Sequence, residues 1–217
     1  MKEKSPKKGW FITLEGGEGS GKTTQLVKLT EALRERSVDV ISTREPGGTE
    51  VGREIRQILL DGQRGEISPT TELLLYAADR AQHVREVIEP ALKARRVVLC
   101  DRFQDSTTVY QGYARGLNME WVNALSQIAT AGLKPDWTLL LGIPPEVGLR
   151  RSQDRLAQVG SGEDRFEKES LEFHQKVRES FLDLAKQEPG RYQIFDAMKD
   201  PETLHQEILS FIESKIF

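Results

Sequence analysis

The chain has 217 residues with a net charge of −3 at pH 7, and 37% of the residues are hydrophobic. This length suits one domain, predicted to span 1–217, and the mild acidity argues against a nucleic-acid-binding surface, which is usually strongly basic. No apolar run approaches the length of a membrane span, so no membrane partner is expected. The single cysteine, Cys100, cannot form an internal disulfide, which predicts a cytoplasmic protein with a packed core thiol.

The first predicted strand leads into a glycine-rich segment. Residues 1–8 are charged and are predicted to form a flexible lead-in. Trp10–Leu14 is a short apolar, β-prone run, and Gly-Gly-Glu-Gly-Ser-Gly-Lys-Thr at 16–23 fits the pattern of a phosphate-binding loop, or P-loop. Leucines then recur at three- to four-residue spacing through Leu33, which predicts a helix directly after the loop.

The residue types of this loop suit a nucleotide's phosphates. Glycines let the backbone wrap a phosphate chain with N–H groups pointing inward, and the following helix adds its positive N-terminal end. The lysine can reach the β and γ oxygens, and the threonine hydroxyl can bind Mg²⁺. A glycine-rich turn without a ligand is the alternative, and it would be a costly use of four glycines. The predicted nucleotide-binding residues are Gly16, Gly17, Glu18, Gly19, Ser20, Gly21, Lys22 and Thr23.

Strand-like and helical segments alternate along the rest of the chain. Further strands are predicted at 38–43, 97–100, 138–141 and 192–195, with helices between and after them. The helix at 49–60 carries Val51, Ile55, Ile58 and Leu59 on one side, and the helix at 121–131 is expected to turn Trp121, Leu125 and Ile128 inward. This alternation predicts an α/β fold with a parallel sheet, helices on both faces and ligands at the carboxyl ends of the strands.

Two predicted strands end in segments of polar and turn-forming residues. Asp101 and Arg102 follow the apolar run at 97–100, where a P-loop protein holds its magnesium-side carboxylate; a strand-end salt bridge is the alternative. Arg-Glu-Pro-Gly-Gly-Thr at 44–49 follows the second strand and is therefore expected to face the cleft.

A helical pair and a polar segment suggest how a second ligand could be recognised. Tyr76 and Arg80 share one helical face, so a ring could stack on a planar base while the guanidinium bonds its edge. A buried tyrosine beside a surface arginine is the alternative. Residues 105–113 are rich in hydroxyls and include an amide, which suits a neutral polar ligand.

The stretch at 152–165 is polar and rich in arginine, and its sequence breaks the helical pattern, as a mobile lid does. Phosphoryl transfer needs positive charge around the transferring group, and a closing lid would supply arginines and exclude water. A solvated charged surface is the alternative.

Several motifs together resemble the bacterial thymidylate kinase family. They are Glu18 in the loop, Thr43–Thr49, Asp101-Arg102-Phe103, Tyr110–Tyr113 and Asp164-Arg165. The resemblance runs from about Trp10 to the C-terminus. It implies a three-layer P-loop nucleoside-monophosphate-kinase fold with a five-stranded parallel sheet. It also implies transfer of the γ-phosphate of ATP to dTMP to give dTDP, Mg²⁺ as cofactor, and a homodimer.

The resemblance also implies residue roles. Residues for dTMP would be Glu18 and Glu45 near the deoxyribose, Arg56 and Arg102 on the phosphate, Tyr76 stacked on thymine, Arg80, Thr107 and Gln111 at the base edges, and Tyr110 against the 2′ position. Catalytic residues would be Lys22, Arg102, Arg155 and Arg165. Arg151 would lie on the adenine side of ATP, and the metal would be held at Thr23 and Asp101.

Three positions depart from the family pattern. Phe103 stands where many relatives have tyrosine, Tyr76 replaces a more usual phenylalanine, and Gly142 stands where many relatives carry aspartate. One alternative is a kinase for another nucleoside monophosphate. The other is a GTPase switch, because Lys134-Pro135-Asp136 faintly resembles a guanine-reading motif, although Leu133 replaces its asparagine and the segment precedes a strand.

Overall fold

The structure, a computed structural model, describes residues 8–61, 65–159 and 165–217. In these residues five strands form one parallel sheet: β1 (Trp10–Glu15), β2 (Val40–Arg44), β3 (Val97–Asp101), β4 (Trp137–Gly142) and β5 (Tyr192–Asp196). Their order in the sheet is β2-β3-β1-β4-β5, so β1 and the P-loop that follows it are central. Residues 1–7 of the predicted lead-in lie outside the described residues, and Lys8 is paired with Asp136.

Nine α-helices surround the sheet in the described part of the chain: α1 (Lys22–Glu35), α2 (Glu50–Leu60), α3 (Pro69–His83), α4 (Glu89–Lys93), α5 (Gln104–Thr107), α6 (Met119–Thr130), α7 (Pro145–Val159), α8 (Leu171–Gln187) and α9 (Pro201–Ile216). Side-chain caps at Ser68, Ser170 and Asp200 begin α3, α8 and α9, because each accepts hydrogen bonds from the first-turn N–H groups. None of the helices described is long and apolar enough to cross a membrane.

Two helices run further than their sequence pattern predicts. α3 continues through a π-helical turn, Val84–Ile88, into α4, although the pattern predicts an end near Arg85. α7 continues to Val159, so the break predicted at Ser152 is wrong, because exposed polar residues can continue a helix that needs no apolar partner on that side. The core of the predicted lid, 160–164, lies outside the described residues.

The core fills both sides of the sheet. All five residues of β3 are buried, as expected for a parallel strand between two helical layers. On one side Leu29 of α1 and Ile208 of α9 join a cluster with the strands. On the other side Phe181 of α8 and Val84 belong to two further clusters. The predicted parallel α/β sheet with helices on both faces is therefore confirmed.

The predicted inner face of α6 is wrong. Trp121 is 58% exposed and Ile128 is 75% exposed, whereas Val122 and Ala129 are buried. α6 packs against α3, and this neighbour selects the adjacent set of side chains for burial. Leu125 is half-buried.

Exposed apolar side chains also occur on the two neighbouring helices. Val51 and Ile58 of α2 and Leu74 of α3 are exposed, and α3 packs against both α2 and α6. We use the name α2–α3–α6 face for the set of exposed side chains Val51, Ile58, Leu74, Trp121 and Ile128. Such a set is larger than the isolated apolar residues that are normal on a protein surface.

A largely buried ion pair fastens the chain before β5 to the segment after β3. Arg191 donates to both carboxylate oxygens of Asp105 at 2.6 and 3.1 Å, and to the Thr138 hydroxyl at 2.7 Å. Because the pair is bidentate and little exposed, its loss would leave a buried carboxylate without a counter-charge.

We therefore expect Arg191→Met to lower the free energy of unfolding by about 3 kcal/mol in urea titrations. Arg96→Met is the matched control, since Arg96 pairs with Asp39 near solvent at 2.8 Å, and we expect it to lose less than about 1 kcal/mol. Equal losses in the two variants would contradict a special role for the buried pair.

Candidate active site

One cavity of about 360 Å³ opens at the carboxyl ends of the central strands. Every site residue predicted from the sequence lines it, apart from Gly16, Gly17 and Arg151. Arg151 is exposed and donates to the carbonyl of Ala197, after β5. The convergence follows from the parallel sheet, which brings the ends of β1, β2 and β3 to the same edge.

Lys22 begins α1 and bends back over its own loop. Its ammonium donates to the carbonyls of Gly16 at 2.9 Å and Gly17 at 2.7 Å, and to the Ser20 hydroxyl at 3.0 Å. Burial and the charge of Arg102 lower the pKa of Lys22 to about 8. The side chain is thus held at the mouth of the loop, where the N-terminus of α1 also favours an anion.

A hydroxyl and a carboxylate lie side by side at the ends of two strands. Thr23, in the first turn of α1, donates to Asp101 at the end of β3 over 2.7 Å. Both groups are oxygen ligands of the kind that Mg²⁺ prefers, and Mg²⁺ usually takes only one or two protein oxygens beside substrate phosphates and waters. The pair fits the predicted metal site.

Glu18 of the P-loop is surrounded by hydrogen-bond donors. Arg102 donates to its Oε1 at 2.9 Å, the Tyr110 hydroxyl reaches both oxygens at 2.9 Å, and Nδ1 of His174 lies 3.3 Å from Oε2. Burial alone would raise the pKa of Glu18, but the bond with His174 and the charges of Arg102 and Lys22 lower it to about 2. Glu18 is therefore an anion in a fixed orientation.

Arg102 has a left-handed backbone, with φ of 69°. This conformation is unfavourable for a residue with a Cβ, and such residues concentrate at functional sites. Its guanidinium bonds Ser106 at 3.1 Å as well as Glu18, and stacks 5.0 Å from the centre of the Tyr110 ring. The side chain therefore lies in the cavity between the P-loop acid and the residues that follow β3.

Arg80 is buried, so the alternative of a surface arginine is wrong. Only 2% of its surface is exposed; it donates to Glu45 at 2.7 Å and to Thr107 at 2.9 Å. His83 lies 2.9 Å from the other oxygen of Glu45. Tyr76, one helical turn earlier, is half-buried and lines the cavity beside this group.

Glu72 is a site residue that the sequence analysis missed. It is fully buried and accepts from Gln111 at 2.7 Å, Arg115 at 3.3 Å and Arg165 at 2.5 Å. Its position four residues before Tyr76, on the same face of α3, was the signal that could have identified it. Glu72 orients Gln111 at the end of the cavity away from the P-loop.

The lid arginines lie at different depths. Arg165 donates to the Leu59 carbonyl at 3.1 Å as well as to the buried acid of α3. Arg155 is more exposed and donates to Ser152 at 3.0 Å. Both line the cavity, but Arg165 is anchored at its far end and Arg155 is not.

The three positions that depart from the family pattern, Phe103, Tyr76 and Gly142, have different surroundings. Phe103 is fully buried, edge-on to Phe11 with 4.9 Å between ring centres, so its position has no need of a hydroxyl. Burial raises the pKa of the Tyr76 phenol. Gly142 lines a separate cavity, and a Cβ there would make ordinary contacts with the Phe195 carbonyl oxygen at 3.6 Å and with Ile194 Cγ2 at 3.9 Å.

The family model for thymidylate kinase matches residues 14–208. The chain belongs to the thymidylate kinase family. Thymidylate kinase from Desulfosudis oleivorans is 55% identical over 190 residues, 87% of this chain and 89% of that protein. Thymidylate kinase from Geotalea uraniireducens is 50% identical over 209 residues, 96% of this chain and 98% of that protein.

A solved thymidylate kinase shares the fold. The crystal structure of the Ehrlichia chaffeensis enzyme matches with a TM-score of 0.75 and 32% identity, covering 95% of this chain and 99% of that one. The predicted P-loop nucleoside-monophosphate-kinase fold is confirmed. The chain is an enzyme of the thymidylate kinase family and catalyses the ATP-dependent phosphorylation of dTMP to dTDP. ATP is the phosphate donor in this family, generally with a divalent metal ion.

The GTPase alternative is wrong. Asp136, which it assigned to guanine, lies at the amino end of β4 and accepts from the backbone N–H of Phe11 at 2.9 Å. This is the edge of the sheet opposite the P-loop of the thymidylate kinase site, so Asp136 has a structural role.

The P-loop is packed against α7 where Gly19 faces Gly148. Gly19 has φ of 64°, and a Cβ there would lie 1.9 Å from the Gly148 carbonyl oxygen.

We expect Gly19→Ala to raise the KM for ATP by about tenfold or more and to lower Tm, because the loop must shift and its backbone is strained. Gly17→Ala is the control, since a Cβ there meets no atom within 4 Å. The KM for ATP is measured by steady-state kinetics with dTMP saturating. Equal KM values for the two variants would contradict this prediction.

Proposed function

We propose that the two substrates occupy opposite ends of the cavity, with ATP on the P-loop and dTMP reaching from Arg102 to Gln111. The observation that carries this division is Glu18, a P-loop residue whose carboxylate bonds Arg102 and Tyr110 from the chain after β3. A group at the junction of the two ends would contact the acceptor sugar while its own loop binds the donor.

The P-loop end supplies the charge that phosphoryl transfer needs. The backbone of 16–23 and the ammonium of Lys22 would hold the ATP phosphates, and Thr23 with Asp101 would hold Mg²⁺. A bound Mg²⁺ would supply positive charge that offsets the negative charge developing on the phosphates. Arg151, beside the chain that follows β5, would contact the adenine side.

The acceptor phosphate would lie between Arg102 and Arg56. Arg56 lines the cavity and is held by a bond to the Pro46 carbonyl at 3.0 Å. Two guanidiniums can bind a phosphate bidentately and keep it in line with the donor. Arg155, the more exposed lid arginine, would add charge at the transferring group, whereas Arg165 stays anchored at the base end.

Thymine recognition would fall to the buried end of the cavity. Tyr76 offers a ring for stacking, and Arg80, Thr107 and Gln111 offer donors and acceptors at a pyrimidine's edges. Glu45 would lie near the sugar, and the Tyr110 ring, fixed by its bond to the P-loop acid, would crowd a 2′-hydroxyl.

A coupled assay for ADP across a panel of monophosphates tests this assignment. We expect kcat/KM for dTMP to exceed those for UMP, CMP and AMP by about a hundredfold or more, because unmatched polar groups in a buried site disfavour the wrong base. A reaction without acceptor gives the background ATPase rate. Faster phosphorylation of UMP, CMP or AMP would contradict the assignment of these residues to thymine.

We also propose that the chain forms a homodimer through the α2–α3–α6 face. Its exposed apolar side chains lie on three helices that pack together, and water exclusion by a second copy would bury them. Two copies that use the same surface would be related by a twofold axis. The buried free thiol of Cys100 supports the cytoplasmic location predicted from composition.

Ile128→Glu tests the dimer, since Ile128 is 75% exposed and its replacement would place two charges in the interface. We expect the variant to sediment as a monomer at micromolar concentration, because burying unpaired charge costs several kcal/mol. Val27→Glu, on α1 and 52% exposed, is the control and should leave the oligomeric state unchanged. A monomeric wild-type protein would refute the proposal.

A further inference from the structure

His174 joins the P-loop to the segment that follows the lid. It lies in the second turn of α8 and only 3% of its side chain is exposed. Its Nε2 is 3.0 Å from the carbonyl oxygen of Phe166, and its Nδ1 is 3.3 Å from Oε2 of Glu18. Phe166 lies in the turn at 165–168. A single imidazole thus contacts both segments.

Both partners of His174 are hydrogen-bond acceptors. A carbonyl oxygen cannot donate, and Glu18 is ionised because its pKa is about 2. A neutral imidazole has one donor and one acceptor nitrogen, so it could satisfy only one of these contacts. The two contacts therefore favour the imidazolium form, with a proton on each nitrogen.

The charges around the ring agree with this protonation state. Burial alone would lower the pKa of His174, but Glu18, the Phe166 carbonyl and the charge of Glu167 together raise it. Arg178 of the same helix lines the cavity that His174, Gly16, Gly17 and Glu18 also border. Arg102, which follows β3, is a second cation on the same carboxylate and pairs with its other oxygen, Oε1.

We propose that His174 is a positioning residue for the acceptor: its imidazolium holds Glu18 in the orientation that Arg102 and Tyr110 share, and ties it to the turn after the lid. The proposal rests on the assignment of Glu18 and Arg102 to the dTMP end of the cavity. Without the imidazolium, Oε2 of Glu18 keeps only its bond from the Tyr110 hydroxyl among these contacts, so the carboxylate is held by fewer donors. Arg102 then loses a fixed partner.

The pH dependence has a definite sign. A histidine whose pKa is raised in the folded protein keeps its interaction below its ordinary pKa, 6.5, and loses it as pH rises through the folded value. The contribution of His174 to the KM for dTMP should therefore be constant at low pH, and its loss should raise the KM on the alkaline side. Lys22 titrates near pH 8, so only the difference between wild type and a His174 variant isolates the imidazole.

His174→Gln is the informative variant, because its amide can donate one hydrogen bond but carries no charge and does not titrate. We expect the KM for dTMP to rise about tenfold at pH 6.5, the loss expected for one charge-assisted hydrogen bond. The KM for ATP should change less than about twofold, and the alkaline rise that His174 causes should disappear. His205→Gln is the control, since His205 lies in α9 away from the site and is also buried.

Histidine NMR supplies a readout that does not depend on activity. The chain has 3 histidines, so ¹⁵N shifts of the rings can be assigned with the two variants. We expect both His174 nitrogens to be protonated at pH 7. A neutral tautomer there, or equal rises in both KM values accompanied by a lower Tm, would overturn the proposal. Failure of the wild type to prefer dTMP over UMP and CMP would instead refute the residues proposed to recognise thymine.

Discussion

A buried carboxylate in the P-loop, Glu18, connects four parts of the chain. Its partners come from the end of β3, from the π-helical segment Thr108–Ala114 and from α8, and its own backbone belongs to the loop after β1. The opposing donors keep it ionised in spite of burial. The position of the donor loop and the shape of the acceptor wall therefore depend on one another, which suits an enzyme that must align two substrates.

The same arrangement recurs deeper in the cavity. Glu45 holds Arg80, and Glu72 holds Gln111 and Arg165. A buried acid is costly unless it is paired and hydrogen-bonded, and such pairs are weak sources of net stability. What they provide is orientation: each acid fixes the direction of a cation or amide that faces the cavity, so the binding groups are largely set before a ligand arrives.

The sequence patterns predicted correctly the features that depend on consecutive residues. They did not predict which side chains become buried against another element of the fold. The spacing of 16–23 and its flanking strand and helix predicted the loop, because a phosphate cradle is built from consecutive residues. The spacing of Trp121 and Ile128 identified an apolar stripe on α6 but not its environment, and α3 selected Val122 and Ala129 for burial instead. Glu72 and His174 carried no motif, since their roles come from contacts with residues far away in the chain.

By itself, the sequence determined the class of the fold, the P-loop and the family, because alternating strand and helix patterns and short motifs are properties of neighbouring residues. The tertiary structure decided which charges meet. It placed Arg80 in the interior beside Glu45, anchored Arg165 on Glu72, and set His174 between Glu18 and the turn after the lid. These contacts join segments between about 30 and 160 positions apart. The segments come together because the carboxyl ends of the parallel strands lie at the same edge of the sheet.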